Sequence, residues 1–223
     1  MPPHAYGSAM PPTLVTVAVG VLLGVALLGE AFDRRSMLVV AVAAAVPDFD
    51  AALSLWIRGA TNAALHTFFI PLSVAAALYL DTRREESWLR DRYGWYGVRV
   101  AWVAVAVYAV AGISMDLFNI ESAAVLYPVS NQYFSIVGKL VLSTQEGVVQ
   151  SYVEFGDGLL SAGTYGTTEN RHISTWVNPT PGTDNPPDAE RVVRVVDSGW
   201  QLVVVVTAAA TLAARTFIER RAA

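Results

Sequence analysis

The sequence predicts a mainly α membrane protein with about five transmembrane helices and a β-rich extracytoplasmic insert between the fourth and fifth. Three observations carry this. The chain of 223 residues is 54% hydrophobic and only 15% charged, with a mean hydropathy of +0.42, too apolar for a soluble domain of this size. Five apolar runs are long enough, at roughly 17 to 25 residues, to cross a hydrocarbon core of about 30 Å. A polar stretch of different texture separates the last two.

The runs are Thr13–Gly29, Ser36–Ile57, Ala63–Leu80, Val98–Phe118 and Trp200–Phe217. The first lacks a basic n-region and a clear cleavage site, so it reads as a retained helix rather than a signal peptide. The domains expected are an extension over 1–12, a four-helix membrane region with a polar site over 13–118, the insert over 119–199, and a final helix with its tail over 200–223.

The insert is expected to be mostly β. Pieces such as "AAVLYPV", "YFSIVGKLVLST", "GVVQSYVEF" and "RVVRVV" are parted by Gly, Asn, Pro and Asp turns, and "NPTPGTDNPPD", Asn178 to Asp188, reads as a surface loop. Its nine acidic residues against four basic ones (Lys139, Arg171, Arg191, Arg194) suit a high-salt exterior.

Orientation follows from the bias of Lys and Arg in short loops. An N-terminus outside puts ten arginines on the cytoplasmic side, including Arg34, Arg83, Arg90 and Arg220, against Arg58 and the insert's four basic residues outside. The expected location is therefore the cell membrane, multi-pass, with the C-terminus cytoplasmic. "DTRREESWLRDRYGWYGVR" is the positive-inside anchor, its Trp and Tyr residues in the interfacial belt.

Composition also excludes classes. Without cysteine there is neither a disulfide framework nor a thiolate metal site, so any metal is held by His, Asp, Glu or backbone oxygens. A net charge of −4 with thinly spread arginines offers no nucleic-acid surface. The expected partners are membrane lipid and either a second protomer or another membrane protein.

Ionisable residues within the spans are the strongest functional signal, since a charge near mid-membrane costs about 2.5 to 3.5 kcal/mol even on the milder scales. With a rise of about 1.5 Å per residue, Asp48 lies some 18 Å beyond Ser36, and Asp116 some 27 Å beyond Val98. His66 lies about one helical turn into the third run. Asp48, Asp50, His66 and Asp116 then converge on the outer side, where a shared cation or mutual pairing would compensate them. Pro47 interrupts the hydrogen-bond ladder and makes a turn lining a polar cavity plausible. The plain alternative is a helix break whose aspartates face water, with His66 and Asp116 as interfacial residues.

One imidazole with up to three carboxylates suits a divalent metal: Mn²⁺, Mg²⁺ or, less comfortably, Zn²⁺. An open position on such a metal serves hydrolysis of an ester or phosphoester. Asp50 is the nominated ligand, and Asp48 either ligand or catalytic base. Glu121, Glu154, Asp157 and His172 of the insert are further candidates to reach the site.

"MPPTLVTVAVGVLLGVALLGEAFDRR", "AVPDFD", "ALHT" and "GISMDLFNIESAAVLYPVS" resemble four landmarks of the YdjM-type (DUF457) family of membrane-bound, metal-dependent hydrolases, particularly its haloarchaeal members. The likeness covers about the first 135 residues, and its His/Asp layout is more distantly similar to the zinc-dependent phospholipase C and P1-nuclease group. The resemblance implies Asp48 and Asp50 from P-D-x-D, His66 from the second His, and Asp116 from the end of H-x-x-x-D. Thr16 and Gly112 stand where the pattern has two further histidines. Two other classes stay open: a non-catalytic relative displaying the insert to a partner, and a cation-coupled transporter. The latter is disfavoured by acids gathered near one surface and by the lack of an inverted repeat.

Overall fold

The computed structural model describes residues 12–119, 122–138, 140–145, 147–150, 163–181 and 185–222. Two compact units divide it. A helical unit comprises Pro11–Phe49, Phe68–Ile113 and Val193–Ala223, and a second unit is built from Asp50–Thr67 and Ser114–Val192.

The helical unit opens with α1 (Thr13–Leu28), an unbroken apolar run that ends at Gly29, where φ of +56° needs glycine. Gly20 and Gly24 lie one turn apart on α1 and let it approach α2 (Arg34–Ala45) closely. A Cβ at Gly20 would stand 2.6 Å from the Ala44 Cβ, and one at Gly24 2.9 Å from the Val40 Cγ1. This small-xxx-small stripe is a device of membrane helices, which associate by packing rather than by escape from water. Leu28, Val40, Val103 and Val107 are buried around it.

The last carbonyls of α1 are capped by guanidinium groups from two later helices. Arg99 of α5 (Trp88–Val107) donates to the Leu27 carbonyl at 2.9 Å, and Arg215 of α7 (Gly199–Ala222) to the Gly29 carbonyl at 3.1 Å. Two cations at a helix C-terminus also oppose the negative end of its dipole. At the start of α2, Asp33 is the N-cap and accepts from the Ser36 amide at 2.6 Å.

After Ala45 the sequence "VPDFD" breaks α2 as Pro47 predicts. A 3₁₀ turn, Pro47–Phe49, leads into the one-turn α3 (Asp50–Leu53), and the chain bends by 49° there. Helix α4 (Phe69–Thr82) is 14 residues long, about 21 Å, shorter than a bilayer core. Asp81 then caps α5, taking hydrogen bonds from the Ser87 hydroxyl and the Trp88 and Leu89 amides. Gly94, at φ of +67°, interrupts α5 and leaves Trp88, Tyr93, Trp95 and Tyr96 exposed beside the break. A π-helical turn, Tyr108–Ile113, continues α5 into α6 (Ser114–Leu117).

Among the described residues three helical stretches are long and apolar enough to cross a membrane: Thr13–Ala31, Trp88–Leu117 and Gly199–Arg221. The bent pair Arg34–Ala45 with Pro47–Leu53 makes a fourth if it is one span. The apolar run expected from Ala63 becomes helical only at Phe69, because residues 54–68 form successive turns.

In the second unit the β content is sparser than the sequence suggests. Strand β1 (Gln132–Ser135) pairs antiparallel with β4 (Gly163–Thr167), and β2 (Leu140–Ser143) with β3 (Gly147–Gln150). "AAVLYPV" forms a turn at Val125–Val129, with only Ala123 bridging Phe134, and "RVVRVV" is irregular. β-Branched residues favour strands only where a partner edge exists, and the described residues offer none to 191–196. The end of "GVVQSYVEF", Ser151–Phe155, lies outside the described residues.

Candidate functional site

Asp50, His66 and Asp116 meet within the second unit. The His66 Nδ1 lies 2.7 Å from the Asp50 Oδ2, and its Nε2 lies 2.6 Å from the Asp116 Oδ2. All three residues are at most 3% exposed.

Each side chain is held by its local backbone. Asp50 is the first residue of α3, and its Oδ2 also accepts from the Ala63 amide at 3.2 Å. His66 sits at the end of the 54–67 loop, which is strapped to the segment that follows Asp116. Asn62 accepts the Ala124 amide on its carbonyl at 2.8 Å and donates its Nδ2 to the Ser122 carbonyl at 3.1 Å. Thr67 donates its hydroxyl to the Val125 carbonyl, and Tyr133 donates to the Thr61 carbonyl at 2.8 Å. Asp116 follows the π-helical turn on α6, whose last residue, Leu117, accepts from the Ile136 amide and the Ser135 hydroxyl.

The chemistry follows from donor counting. A neutral imidazole has one N–H, yet two carboxylate oxygens flank this ring at hydrogen-bond distance. One contact is served by that N–H; the other requires a second proton or a cation. Asp50 Oδ1 is buried with no hydrogen-bond partner among the described residues, so this carboxylate keeps unused acceptor capacity. An acid-rich, oxygen-rich donor set of this kind fits a divalent cation.

Within the second unit His66 and Asp116 can each offer a ligand atom to a metal ion. Asp48 is placed in the 3₁₀ turn of the helical unit, two residues before Asp50 in the chain. The four residues expected from the sequence thus take different positions. His66 joins Asp50 to Asp116, with the Asp50 Oδ2 on the Nδ1 side of the ring and its Oδ1 unengaged among the described residues.

Thr16 and Gly112, where the resemblance has histidines, are both buried in the helical unit. At Gly112 a Cβ would stand 2.6 Å from the Pro47 Cγ and 3.2 Å from the Ala44 carbonyl oxygen. No imidazole fits there without displacing the turn that carries Asp48.

A polar cavity of about 240 Å³ lies within the second unit, lined by Ser54, Thr61, Tyr133, Arg58, Arg171 and His172 among others. Arg171 donates to the Ser122 hydroxyl and the Tyr165 carbonyl and lies over the Tyr133 ring at 5.7 Å. Burial pushes the His172 imidazole below its ordinary value, against a smaller opposing effect of a hydrogen bond to the Asn178 backbone. Tyr133 is pushed upward, first by burial and then by the charge of Asp50. Glu121, Glu154 and Asp157 lie outside the described residues.

Sequence reasoning missed Asn62, Ser122, Tyr133 and Asn178, all buried. One signal existed. Asn62 adopts φ of +53°, a conformation that asparagine tolerates far better than most residues. Asn178, inside the stretch expected as a surface loop, instead donates to the Ser54 carbonyl and hydroxyl.

No family model, curated protein or solved structure matches this chain.

Proposed function

We propose that the chain is a membrane-bound, metal-dependent hydrolase of the DUF457 type, acting at the outer face on a lipid or other phosphoester. The observation that carries the reading is the buried imidazole caught between Asp50 and Asp116, at 2.7 and 2.6 Å. Five spans with an external N-terminus belong to the same reading, supported by the arginine bias of the loops.

His66 Nε2, Asp116 and Asp48 would hold the metal, and Asp50 would orient the ring. A ligating histidine that gives its other N–H to a carboxylate is the usual arrangement around catalytic metals, since it fixes the tautomer and raises ligand basicity. A divalent ion there would supply Lewis acidity for ester or phosphoester hydrolysis. Asp48 is also the catalytic carboxylate of choice, able to take a proton from the attacking water.

Purified protein in detergent tests this by bound-metal analysis and hydrolysis of a chromogenic phosphodiester. Wild type is expected to carry about one divalent ion and to lose both metal and turnover in His66→Ala. Stoichiometric metal in His66→Ala overturns the reading.

The packing of Gly112 on Pro47 favours one alternative, a non-catalytic relative in which the Asp50–His66–Asp116 cluster only ties the 54–67 loop to α6. In that case His66→Ala lowers stability, and the wild type holds no metal.

A further inference from the structure

We propose that the helical unit carries a binding slot for one anionic phospholipid between α2 and α7, at the end marked by Arg34 and Arg220. Two adjoining cavities of about 290 and 230 Å³ share Phe32, Arg34 and Thr216 as lining residues. The larger is apolar in its depth, and the smaller holds the charge.

The slot is built at helical spacing from both walls. On α2 its lining residues are Arg34, Met37, Leu38 and Ala41, at i, i+3, i+4 and i+7, which is one face of the helix. On α7 they are Leu212, Thr216 and Arg220, at i, i+4 and i+8, with Glu219 beside Arg220. Val21 of α1 and Phe32 also line it. At about 1.5 Å per residue the walls run about 10 Å from Arg34 to Ala41 and about 12 Å from Arg220 to Leu212. Charge is thus confined to one end, and the remainder is hydrocarbon.

That polarity matches a lipid rather than a soluble anion. The depth offers an acyl chain apolar contact, and the rim offers two guanidiniums suited to a phosphate. Arg34 is also the first residue of α2, where the helix dipole favours an anion. One acid lines the rim, and it is engaged: Glu219 pairs with Arg215 at 3.1 Å, while Asp33, next to Arg34 in the chain, accepts the Ser36 amide as N-cap. Arg215 is turned inward to the Gly29 carbonyl and lies 5.2 Å from the Phe32 ring centre, so it shapes the slot without occupying it. Basic pockets between membrane helices are a recognised seat for anionic headgroups. The slot lies wholly in the helical unit and does not depend on the metal reading.

Native mass spectrometry of the full chain, delipidated and given equal phosphatidylglycerol and phosphatidylcholine, tests it. One phosphatidylglycerol is expected to be retained with a preference of about tenfold or more, the size expected of two arginines at an anionic headgroup. Arg34→Gln with Arg220→Gln is expected to abolish the preference. Ala41→Trp, which fills the apolar depth and keeps both arginines, is expected to reduce retention of either lipid. Arg83→Gln with Arg84→Gln, outside the slot, is expected to keep the preference. Persistence of the preference in the Arg34/Arg220 variant overturns the proposal. So does equal retention of the two lipids by wild type, displacement of the lipid by soluble glycerol phosphate, or a dimer that Ala41→Trp dissociates.

Discussion

The Asp50 Oδ2 accepts from the Ala63 amide and stands 2.7 Å from the His66 Nδ1, so one carboxylate oxygen fixes both the loop and the ring it carries. This relationship separates two roles that the bare sequence leaves merged. A carboxylate engaged by Nδ1 turns Nε2 toward Asp116, and it acts on the site through the imidazole.

Asp50→Asn is therefore expected to weaken metal binding by about 10- to 100-fold while leaving the ion bound at high concentration, the range seen when a histidine's supporting carboxylate is changed. His66→Ala removes the proposed ligand and should abolish binding. Calorimetric titration of the purified protein with Mn²⁺ and Zn²⁺ separates the cases. Equal losses in the two variants would place Asp50 among the direct ligands instead.

Much of the helical unit was legible in the sequence because length and hydropathy report directly on spanning runs. The stretches containing α1 and α7 needed nothing else. The meeting of Asp50, His66 and Asp116 was also within reach, because depth along a span follows from counting residues. What could not be read was backbone continuity. The run from Ala63 is apolar enough for a helix, yet it stays in turns to Phe68, held by Asn62 at φ of +53° and by Tyr133 on the Thr61 carbonyl. "RVVRVV" has strand-forming residues, but its strand status depends on a partner edge, which composition does not encode. Gly112 stands where the resemblance has a histidine, and the approach of Pro47 leaves no room for one, a packing fact that residue order does not encode.

Gly112 gives the second prediction. A Cβ there meets the Pro47 Cγ at 2.6 Å and its Cδ at 3.1 Å, and a proline ring in a 3₁₀ turn cannot swing aside as a flexible side chain could. Gly112→Ala should cost about 1–3 kcal/mol, the range for overpacking a filled interior. Gly112→His should cost more and should not raise metal affinity. Thermal unfolding in detergent reads the first effect and metal titration the second. A stable Gly112→His variant with tighter metal binding would mean that the turn yields and that the missing imidazole can be restored.

Gly59 gives a third. It holds φ of +73°, and a Cβ would lie 2.1 Å from the Thr168 carbonyl oxygen, a backbone atom. Gly59→Ala combines a left-handed penalty of about 1–2 kcal/mol with a clash that only separation of the loop from residue 168 relieves. Faster amide exchange at 54–67 and 163–171, with α1 and α7 unchanged, is the expected outcome. Uniform exchange across the chain would show that Gly59 governs global rather than local stability.

His172 sets a pH dependence whose sign can be worked out. Burial lowers its folded-state value below the ordinary 6.5, so the folded protein prefers the neutral ring. Well above pH 6.5 the ring is neutral whether the chain is folded or unfolded, and it contributes no dependence. As pH falls below 6.5, the unfolded chain takes up a proton that the folded chain resists, and stability drops until the folded ring also titrates. His172→Gln should therefore unfold with a flatter pH profile below 6.5 than wild type, the two converging in slope above it. Melting curves in detergent at closely spaced pH values measure the difference, which cancels the contributions of every other titrating group. If the two profiles run parallel throughout, the imidazole at 172 is solvated rather than buried, and the cavity it lines is open to water.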